Sequence, residues 1–376
     1  MRIVCAFDSF KGTLTSLEAS EIVAGVLERY PGHTISKVAI ADGGEGTLDT
    51  LVHNLSGKKI PLKVKGPRGK SVTAEYGLLD DGTAVIEMAR AAGLTLLEAH
   101  ERDPLHASSE GVGMLIRDAL KKGARHFIIG IGGSATSDMG MGILHALGYR
   151  FKNRSGETLA PSGASLTHVD TIDGRDAHPA LREATFTVAC DVTNPLYGPH
   201  GAAYVYAPQK GADEEAVRIL DEGLRHLSQV AARHTGKSEN LKRDGAAGGI
   251  GAGLRMFLDA ELKDGFEVVY ETAKIEAVLQ ASDLLITGEG MIDAQTLEGK
   301  APFALAKKAK AFGLDTIALS GGIDIPDSRR NDYPFDAMFG SFAGALGKHK
   351  PPEKTAARRN LAFLAQEVAN LYFLKK

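Results

Sequence analysis

Acidic side chains beside glycines recur along the chain where short apolar runs end. Asp8 follows the run Arg2–Phe7, and Asp191 and Glu289 follow similar runs. Ligands of parallel α/β sheets bind outside the carboxyl ends of the strands, where such carboxylates can hold Mg2+ or accept a hydroxyl proton. One Asp in this place is usually a helix cap, but the recurrence favours a binding site. The acidic residues that share this position are Asp8, Asp42, Glu45, Asp191, Glu289 and Asp293.

Two glycine-rich segments could bind phosphate. Residues 130–135 fit the pattern G-x-G-x-x-A between a predicted strand and a predicted helix, and Ser134 and Thr136 add hydroxyl donors. Glycine lets backbone N–H groups approach a phosphate, and a helix N-terminus adds positive partial charge. A tight turn without a ligand stays an alternative. For residues 245–253, three interpretations remain open: a second phosphate site, a flexible segment beside one, or close helix packing on small residues.

Lysines accompany the same loops. Lys11 follows Asp8, Lys210 lies in the segment APQKGA, and Lys300 follows the acidic loop after residue 287. Phosphoryl transfer depends mainly on positioning and on neutralising charge with Mg2+ and cationic side chains. Together, these residue types predict a small-molecule kinase, although each lysine alone could be a solvated surface charge.

The elements that must position these residues alternate between strand and helix at both ends of the chain. Arg2–Phe7 is apolar throughout, as a buried parallel strand requires, and Thr15 with Glu18 forms a capping box that begins a helix. Near residue 58 the pattern changes to short antiparallel hairpins, and the strand–helix alternation returns near residue 280. We therefore predict an α/β protein with a discontinuous parallel-sheet domain, residues 1–60 plus 280–376, and an inserted α/β domain, residues 61–279.

Charge and composition exclude several classes of protein. The net charge of −3, from 44 Lys+Arg against 47 Asp+Glu, lacks the basic character that nucleic-acid binding requires. No apolar stretch approaches the length of about 18 residues that a membrane-spanning helix needs, so we expect no membrane partner. Cys5 and Cys190 form no C-x-x-C motif and are expected to be buried thiols rather than zinc ligands or a disulfide. Two thiols and no secretory signal favour a cytoplasmic location.

The motifs, taken in order, resemble those of the bacterial type I glycerate kinase family. The resemblance covers residues 6–322 through the segments AFDSFKGTLTS, ADGGEGTLDTL, GIGGSATSDMGMGILHALG, ACDVTNPLYGPHGAAYVYAPQKGA, GAAGGIGAGL, LLITGEGMIDAQTLEGKAP and IALSGG. The third segment departs from the usual family wording S-A-T-N-D-G-G-A-G, because Ser137, Met139 and Met141 replace the Asn, a Gly and the Ala.

This resemblance implies ATP-dependent phosphorylation of D-glycerate to 2-phosphoglycerate or 3-phosphoglycerate with Mg2+. It also implies a flavodoxin-like (Rossmann-like) domain carrying the inserted α/β domain, with an active site in the cleft between them. The sequence does not distinguish the two hydroxyl groups of glycerate, because a shift of one carbon leaves the required carboxylate anchor and base unchanged.

Within that family, chemistry suggests a role for each candidate residue. Asp191 is the predicted base, Asp42 is the second choice, and Lys11 would stabilise charge. Glycerate would bind at Asp8, Ser9, Lys11, Gly44, Glu45 and Asn194. ATP would bind at Gly132, Gly133, Ser134, Thr136, Asp138, Lys210 and Lys300. Glu289 and Asp293 would hold Mg2+.

Two other functions stay open at this point. An NAD(P)-binding oxidoreductase rests on residues 130–135 alone, and no acidic residue is clearly placed about 20 residues later to bind a ribose. A non-catalytic sensor of sugar acids would use the same residues as the kinase. The oligomeric state is not readable from the sequence, so a homo-oligomer stays open.

Overall fold

The computed structural model describes residues 1–343 and 353–373, and strands alternate with helices along most of them. The strands are β1 (Arg2–Phe7), β2 (Thr34–Ala39), β3 (Lys58–Lys65), β4 (Ser71–Leu78), β5 (Thr83–Glu87), β6 (His126–Gly130), β7 (Arg150–Lys152), β8 (Thr171–Asp173), β9 (Thr185–Ala189), β10 (Glu261–Lys263), β11 (Leu284–Gly288), β12 (Met291–Ile292), β13 (Asp315–Ile323) and β14 (Ala337–Ala343). The α-helices are α1 (Ser16–Leu27), α2 (Thr47–Asn54), α3 (Ala89–Ala92), α4 (Glu110–Lys121), α5 (Met141–Ala146), α6 (Ala202–Tyr206), α7 (Glu214–Thr235), α8 (Ala246–Leu258), α9 (Gly265–Thr272), α10 (Ile275–Gln280), α11 (Ala301–Ala311) and α12 (Lys354–Phe373).

The chain divides into two compact units. Unit 1 comprises Met1–Asp42, Asp49–Asn54 and Val269–Lys376, and unit 2 comprises Gly43–Leu48 and Leu55–Val268. Each unit has its own buried apolar cluster. In unit 1 the cluster joins β1, β11 and β13 to helices α1 and α12, and in unit 2 it joins β5, β6 and β9 to helices α4, α7 and α8.

Unit 1 is built on a parallel sheet whose strand order defines a binding edge. The order is β2-β1-β11-β13-β14, and the two-residue β12 pairs with the end of β13. Numbered within the unit, this is the 2-1-3-4-5 order of flavodoxin-like sheets. The order reverses between β1 and β11, so the topological switch point lies outside the carboxyl ends of these two strands.

Local sequence explains how unit 1 begins. The side chains from Ile3 to Phe7 are fully buried, as both faces of a central parallel strand require. Helix α1 begins after Thr15, whose hydroxyl accepts from the backbone N–H of Glu18, while the Glu18 carboxylate accepts from Thr15 N–H. The predicted capping box is therefore confirmed. Strand β2 begins at Thr34, which pairs with Arg2 at the start of β1.

Unit 2 contains a mixed sheet in the order β10-β9-β6-β5-β4-β3. The strands from β10 to β5 pair in parallel, and β5, β4 and β3 pair antiparallel. The predicted hairpins after residue 58 are thus confirmed, and they form one edge of a largely parallel sheet. A separate antiparallel pair joins β7 to β8.

The structure confirms the predicted α/β class with parallel sheets. Within the described ranges, none of the helices combines the length and apolar character needed to cross a membrane.

Candidate functional site

The carboxyl edge of the unit 1 sheet gathers acidic residues at the switch point. Phe7 is in register with Gly288 of β11 and with Ala39 of β2, so the residues that follow these strands share one edge. Asp8 continues β1 by donating its backbone N–H to Gly288 O at 2.9 Å. Glu289 follows Gly288 directly. The two carboxylates therefore flank the place where α/β sheets of this order bind ligands.

Asp8 is buried close to other carboxylates. Its side chain is 8% exposed, and its Oδ1 accepts from the backbone N–H of Ser9 at 2.7 Å. Burial, with repulsion from Asp42 and Glu289, raises the pKa of Asp8 to about 7, while the Ser9 hydrogen bond and the positive charge of Lys11 oppose that rise. Asp8 can therefore gain or lose a proton near neutral pH.

Glu289, Asp293 and Lys300 form an ionic cluster after β11. Lys300 Nζ lies 3.0 Å from Glu289 Oε2 and 3.3 Å from Asp293 Oδ1. Thr296 Oγ1 donates to Glu289 Oε1 at 2.9 Å, and Asp293 caps the short helical turn at Ala294–Glu298. Burial raises the pKa of Glu289, and Lys300 and Thr296 act against that rise. The structure thus joins both predicted metal ligands to a lysine that was predicted to contact ATP.

Carboxylate oxygens are the type of ligand that Mg2+ prefers, so the donor chemistry of Glu289 and Asp293 fits this ion. In the described parts of the chain, however, no three His, Cys, Asp or Glu side chains are grouped so that they alone could hold a metal ion. Mg2+ commonly takes one or two protein carboxylates and completes its shell with substrate phosphates and water. A pair of carboxylates therefore suits a metal that arrives with a nucleotide.

In unit 2, the glycine loop after β6 is held from behind by a buried lysine. Lys210 is 2% exposed, and its Nζ donates to Ser134 Oγ at 2.8 Å and to Thr136 O at 2.6 Å. Burial lowers the pKa of Lys210 to about 7, with Asp138 opposing. Gly132 and Gly133 form the exposed side of the same loop. Lys210 therefore supports this loop, while the glycines face outward.

The carboxylate of Asp138 also forms its hydrogen bonds with other residues of the protein. Asp138 is fully buried, and its carboxylate accepts from the backbone N–H and hydroxyl of Ser109 at 2.8 Å, and from the backbone N–H groups of Gly140 and Gly142 at 3.2 Å. These hydrogen bonds tie the end of the loop to the starts of α4 and α5. The structure thus places Asp138 beneath the loop, as a residue that shapes it.

The second glycine run forms the start of α8 and packs on this loop. Ala247, Gly248 and Gly249 have φ values of +53°, +70° and +89°, which kink the helix. A Cβ on Gly248 would lie 2.2 Å from Thr136 O, and the Gly248 carbonyl accepts from Met139 N–H at 3.1 Å. Of the three interpretations left open for this run, the contacts support close packing on small residues.

The segment Gly43–Leu48 lies on the carboxyl ends of β6 and β9 within unit 2. A Cβ on Gly43 would lie 2.6 Å from the Cα of Gly265, which leaves no room for a larger residue. Leu48 N–H donates to Glu87 Oε1 at 2.8 Å, which anchors the end of the segment. Gly44 passes close to Gly132, because a Cβ on Gly132 would lie 3.4 Å from the Gly44 Cα.

Asp191 and Asn194 follow β9 at this same edge. Asp191 Oδ1 accepts from the backbone N–H of Gly265 at 2.8 Å, and the Asp191 side chain is exposed. The Asn194 side chain donates to His200 O at 2.9 Å and accepts from Tyr206 OH at 2.5 Å. Asn194 therefore shapes the loop after Asp191.

The predicted site residues fall into two sets, one in each unit. Unit 1 holds Asp8, Ser9, Lys11, Asp42, Glu289, Asp293 and Lys300. Unit 2 holds Gly44, Glu45, Gly132, Gly133, Ser134, Thr136, Asp138, Asp191, Asn194 and Lys210. Lys11 and Glu45 are exposed.

Sequence reasoning missed Glu87, a buried carboxylate at the end of β5 that also accepts from Arg90 Nε at 2.8 Å. Its place after an apolar run was the same signal that identified Asp8. Thr296, which links Glu289 to the Asp293 turn, was also missed; the spacing D-x-x-T marks it as part of a cap.

Together these features define an α/β protein with parallel sheets, whose polar and glycine-rich loops lie at the carboxyl ends of the strands. A family model described as the Glycerate kinase family matches residues 3–373. This chain belongs to the glycerate kinase family.

Individual relatives agree over nearly the full length. "Glycerate kinase" of Bacillus subtilis (strain 168) is 42% identical over 349 residues, covering 92% of this chain and 91% of the relative. "Glycerate 2-kinase" of Escherichia coli (strain K12) is 41% identical over 343 residues, covering 90% of each chain. The crystal structure of a candidate glycerate kinase 2 from Salmonella typhimurium LT2 has a TM-score of 0.89 and 39% identity, covering 99% of this chain and 98% of that one.

Proposed function

We propose that this protein transfers the γ-phosphoryl group of ATP to the 2-hydroxyl of D-glycerate, giving 2-phosphoglycerate and ADP. The family match over residues 3–373 carries the assignment to a glycerate kinase. The choice of the 2-hydroxyl is supported by the 41% identity to the relative named glycerate 2-kinase. An oxidoreductase has no comparable support, because it rested on the pattern at residues 130–135 alone.

In the proposed reaction, the substrate hydroxyl oxygen bonds to the γ-phosphorus as the bond from that phosphorus to ADP breaks. A carboxylate must take the hydroxyl proton. Asp191 fits this role because it is exposed at a strand end and oriented by Gly265 N–H. Asp8 is a second candidate, because its pKa of about 7 suits proton transfer near neutral pH. The cationic side chain of Lys11 would stabilise negative charge on the substrate.

The loop after β6 is the proposed contact for ATP phosphates. Gly132 and Gly133 can bring backbone N–H groups close to phosphate oxygens. Lys210 would not contact ATP but would hold Ser134 and Thr136 in place through its hydrogen bonds. Asp138 would likewise hold the end of the loop through its hydrogen bond with Gly140 N–H. Lys300 would neutralise phosphate charge from the ionic cluster of unit 1.

Mg2+ is the proposed metal, with Glu289 and Asp293 as its protein ligands. Bound there, the ion would neutralise charge on the transferred phosphoryl group. Lys300 already neutralises part of the charge of these two carboxylates. The remaining partners are small molecules, and the free thiols of Cys5 and Cys190 support a cytoplasmic location.

One experiment tests the activity and the position of transfer together. The protein is incubated with D-glycerate, ATP and Mg2+, and the product is identified by phosphorus NMR. We expect 2-phosphoglycerate, with ADP released in equal amount. Appearance of 3-phosphoglycerate would reject the proposed position, and glycerate binding without ADP release would favour a sensor over a kinase. Omitting Mg2+ and adding a chelator should abolish turnover.

A further inference from the structure

Arg243 lies beside Asp191 although it belongs to a distant part of the sequence. Its guanidinium Nη1 donates to Cys190 O at 2.6 Å, and its backbone N–H donates to Thr193 O at 3.3 Å. Cys190 directly precedes Asp191 at the end of β9. Arg243 is therefore anchored on both sides of the proposed base. It lies just before the segment GAAGGIGAGL, outside the segments that resemble the glycerate kinase family.

The backbone of Arg243 is held in an unfavourable conformation. Its φ of +74° lies in the left-handed region, which non-glycine residues rarely adopt. The next residue, Asp244, is fully buried, and each of its carboxylate oxygens accepts from Arg255 at 2.8 Å. Gly245 N–H donates to Asn194 O at 3.1 Å. Strained residues that their surroundings hold in place occur preferentially at functional sites, so this conformation supports a role for Arg243.

The guanidinium has binding capacity beyond its contact with the protein. Arginine carries five N–H donors in a planar fork that matches a carboxylate, and the one hydrogen bond of this guanidinium to a described residue uses Nη1. The side chain is only half-buried, so an anion can reach it. D-glycerate is an anion whose carboxylate is one carbon away from the 2-hydroxyl.

We propose that Arg243 binds the substrate carboxylate and thereby places the substrate hydroxyl beside Asp191. This inference rests on the proposed glycerate kinase function. Arg243 selects a 2-hydroxy acid over a neutral polyol, because only the acid offers an anion to the guanidinium.

The test uses Arg243→Met and Arg243→Lys in the full chain, with KM measured separately for D-glycerate and ATP. A hydrogen-bonded ion pair of this kind corresponds to a factor of about 10 to 100 in binding. We expect Arg243→Met to raise KM for D-glycerate by about that factor, with KM for ATP within about twofold of wild type. Arg243→Lys should recover part of the loss, because it keeps the charge and loses the fork. Lys242→Met is the matched control: it removes an exposed neighbouring cation and should leave both constants unchanged.

Calorimetric titration with D-glycerate alone separates this inference from the proposed function. If wild type binds and phosphorylates glycerate and Arg243→Met binds it equally well, the role of Arg243 is wrong and the kinase function stands. A rise confined to KM for ATP would also overturn the inference, because Arg243 would then bind a phosphate group of ATP and not the carboxylate of glycerate. Absence of glycerate phosphorylation by wild type would reject the proposed function. Thermal unfolding checks that Arg243→Met folds; if it does not, Arg243→Lys decides by the same criteria.

Discussion

Asp8 is buried at the end of β1 beside two other carboxyl groups, and its protonation should therefore influence stability. Because its pKa is raised from 3.8 to about 7, folding favours the protonated form. The stabilisation is complete below pH 4 and is lost as the pH rises to about 7. Asp8→Asn stays neutral, so it should be more stable than wild type at pH 8, by a few kcal/mol at most, and similar to wild type at pH 4.

Urea denaturation at several pH values between 4 and 8 measures this difference. Asp283→Asn is a control whose effect on stability should be opposite to that of Asp8→Asn, because hydrogen bonds from Arg2 lower the pKa of Asp283. Asp283→Asn should be less stable than wild type by an amount that stays nearly constant between about pH 5 and 8. The pKa of Asp283 is lowered from 3.8 to about 2, so the difference should shrink only as the pH falls from about 4 towards 2. A difference between Asp8→Asn and wild type that does not change with pH would contradict the prediction for Asp8.

Asp191 has the clearest kinetic prediction at the residue scale. Removing a general base typically lowers turnover by 10²–10⁴-fold, so we expect Asp191→Asn to lower kcat by about this factor. Steady-state kinetics with saturating D-glycerate and ATP measure it, and Asp80→Asn, in an exposed turn of the same unit, is the control. Near-normal turnover in Asp191→Asn together with loss in Asp8→Asn would transfer the role of base to Asp8.

The start of α8 shows how one element positions another. Gly248 combines a φ of +70° with direct contact to Thr136 O, so a methyl group there would both strain the helix and push the glycine loop outward. We expect Gly248→Ala to reduce the free energy of unfolding by about 2 kcal/mol or more and to raise KM for ATP.

Gly25→Ala provides the control for this prediction. Gly25 lies in the regular helix α1 with open space at its Cβ, so the substitution should stabilise the protein by about 0.4–1 kcal/mol. Denaturant unfolding and ATP titration compare the two variants. Normal stability and ATP affinity in Gly248→Ala would show that the glycine loop does not depend on this packing.

At the scale of the whole molecule, each unit has its own core, and the unit 2 core is centred on buried strands. Phe127 is 1% exposed and stacks on Phe186 with a centroid separation of 4.8 Å. Phe127→Ala should reduce the free energy of unfolding by about 3–5 kcal/mol, because it removes apolar contacts and leaves a cavity. Phe363→Ala, at a position that is 63% exposed, should have little effect. Equal effects in urea unfolding would contradict this description of the core.

Much of the architecture could be predicted because it depends on local pattern. The buried run Arg2–Phe7, the Thr15–Glu18 cap and the hairpins after residue 58 each follow from neighbouring residues alone. The strand-end rule also predicted that Asp8 and Glu289 follow strands of a parallel sheet, and they follow β1 and β11. Glu87 was missed although it follows an apolar run, as Asp8 does. Arg243 was missed because its contacts with Cys190 and Thr193 join residues far apart in the chain.

The sequence by itself determined the fold class, the family resemblance and the types of chemical group at the strand ends, since apolar periodicity and motif order are properties of the chain. Only the tertiary structure decided what each group contacts. Lys210 and Asp138 look like ligand contacts in the sequence, yet both are buried beneath the glycine loop, where they form hydrogen bonds with the protein. The pKa of Asp8 likewise depends on burial and on Asp42 and Glu289, which packing brings near it. Distances and burial depend on long-range packing, which no local pattern contains.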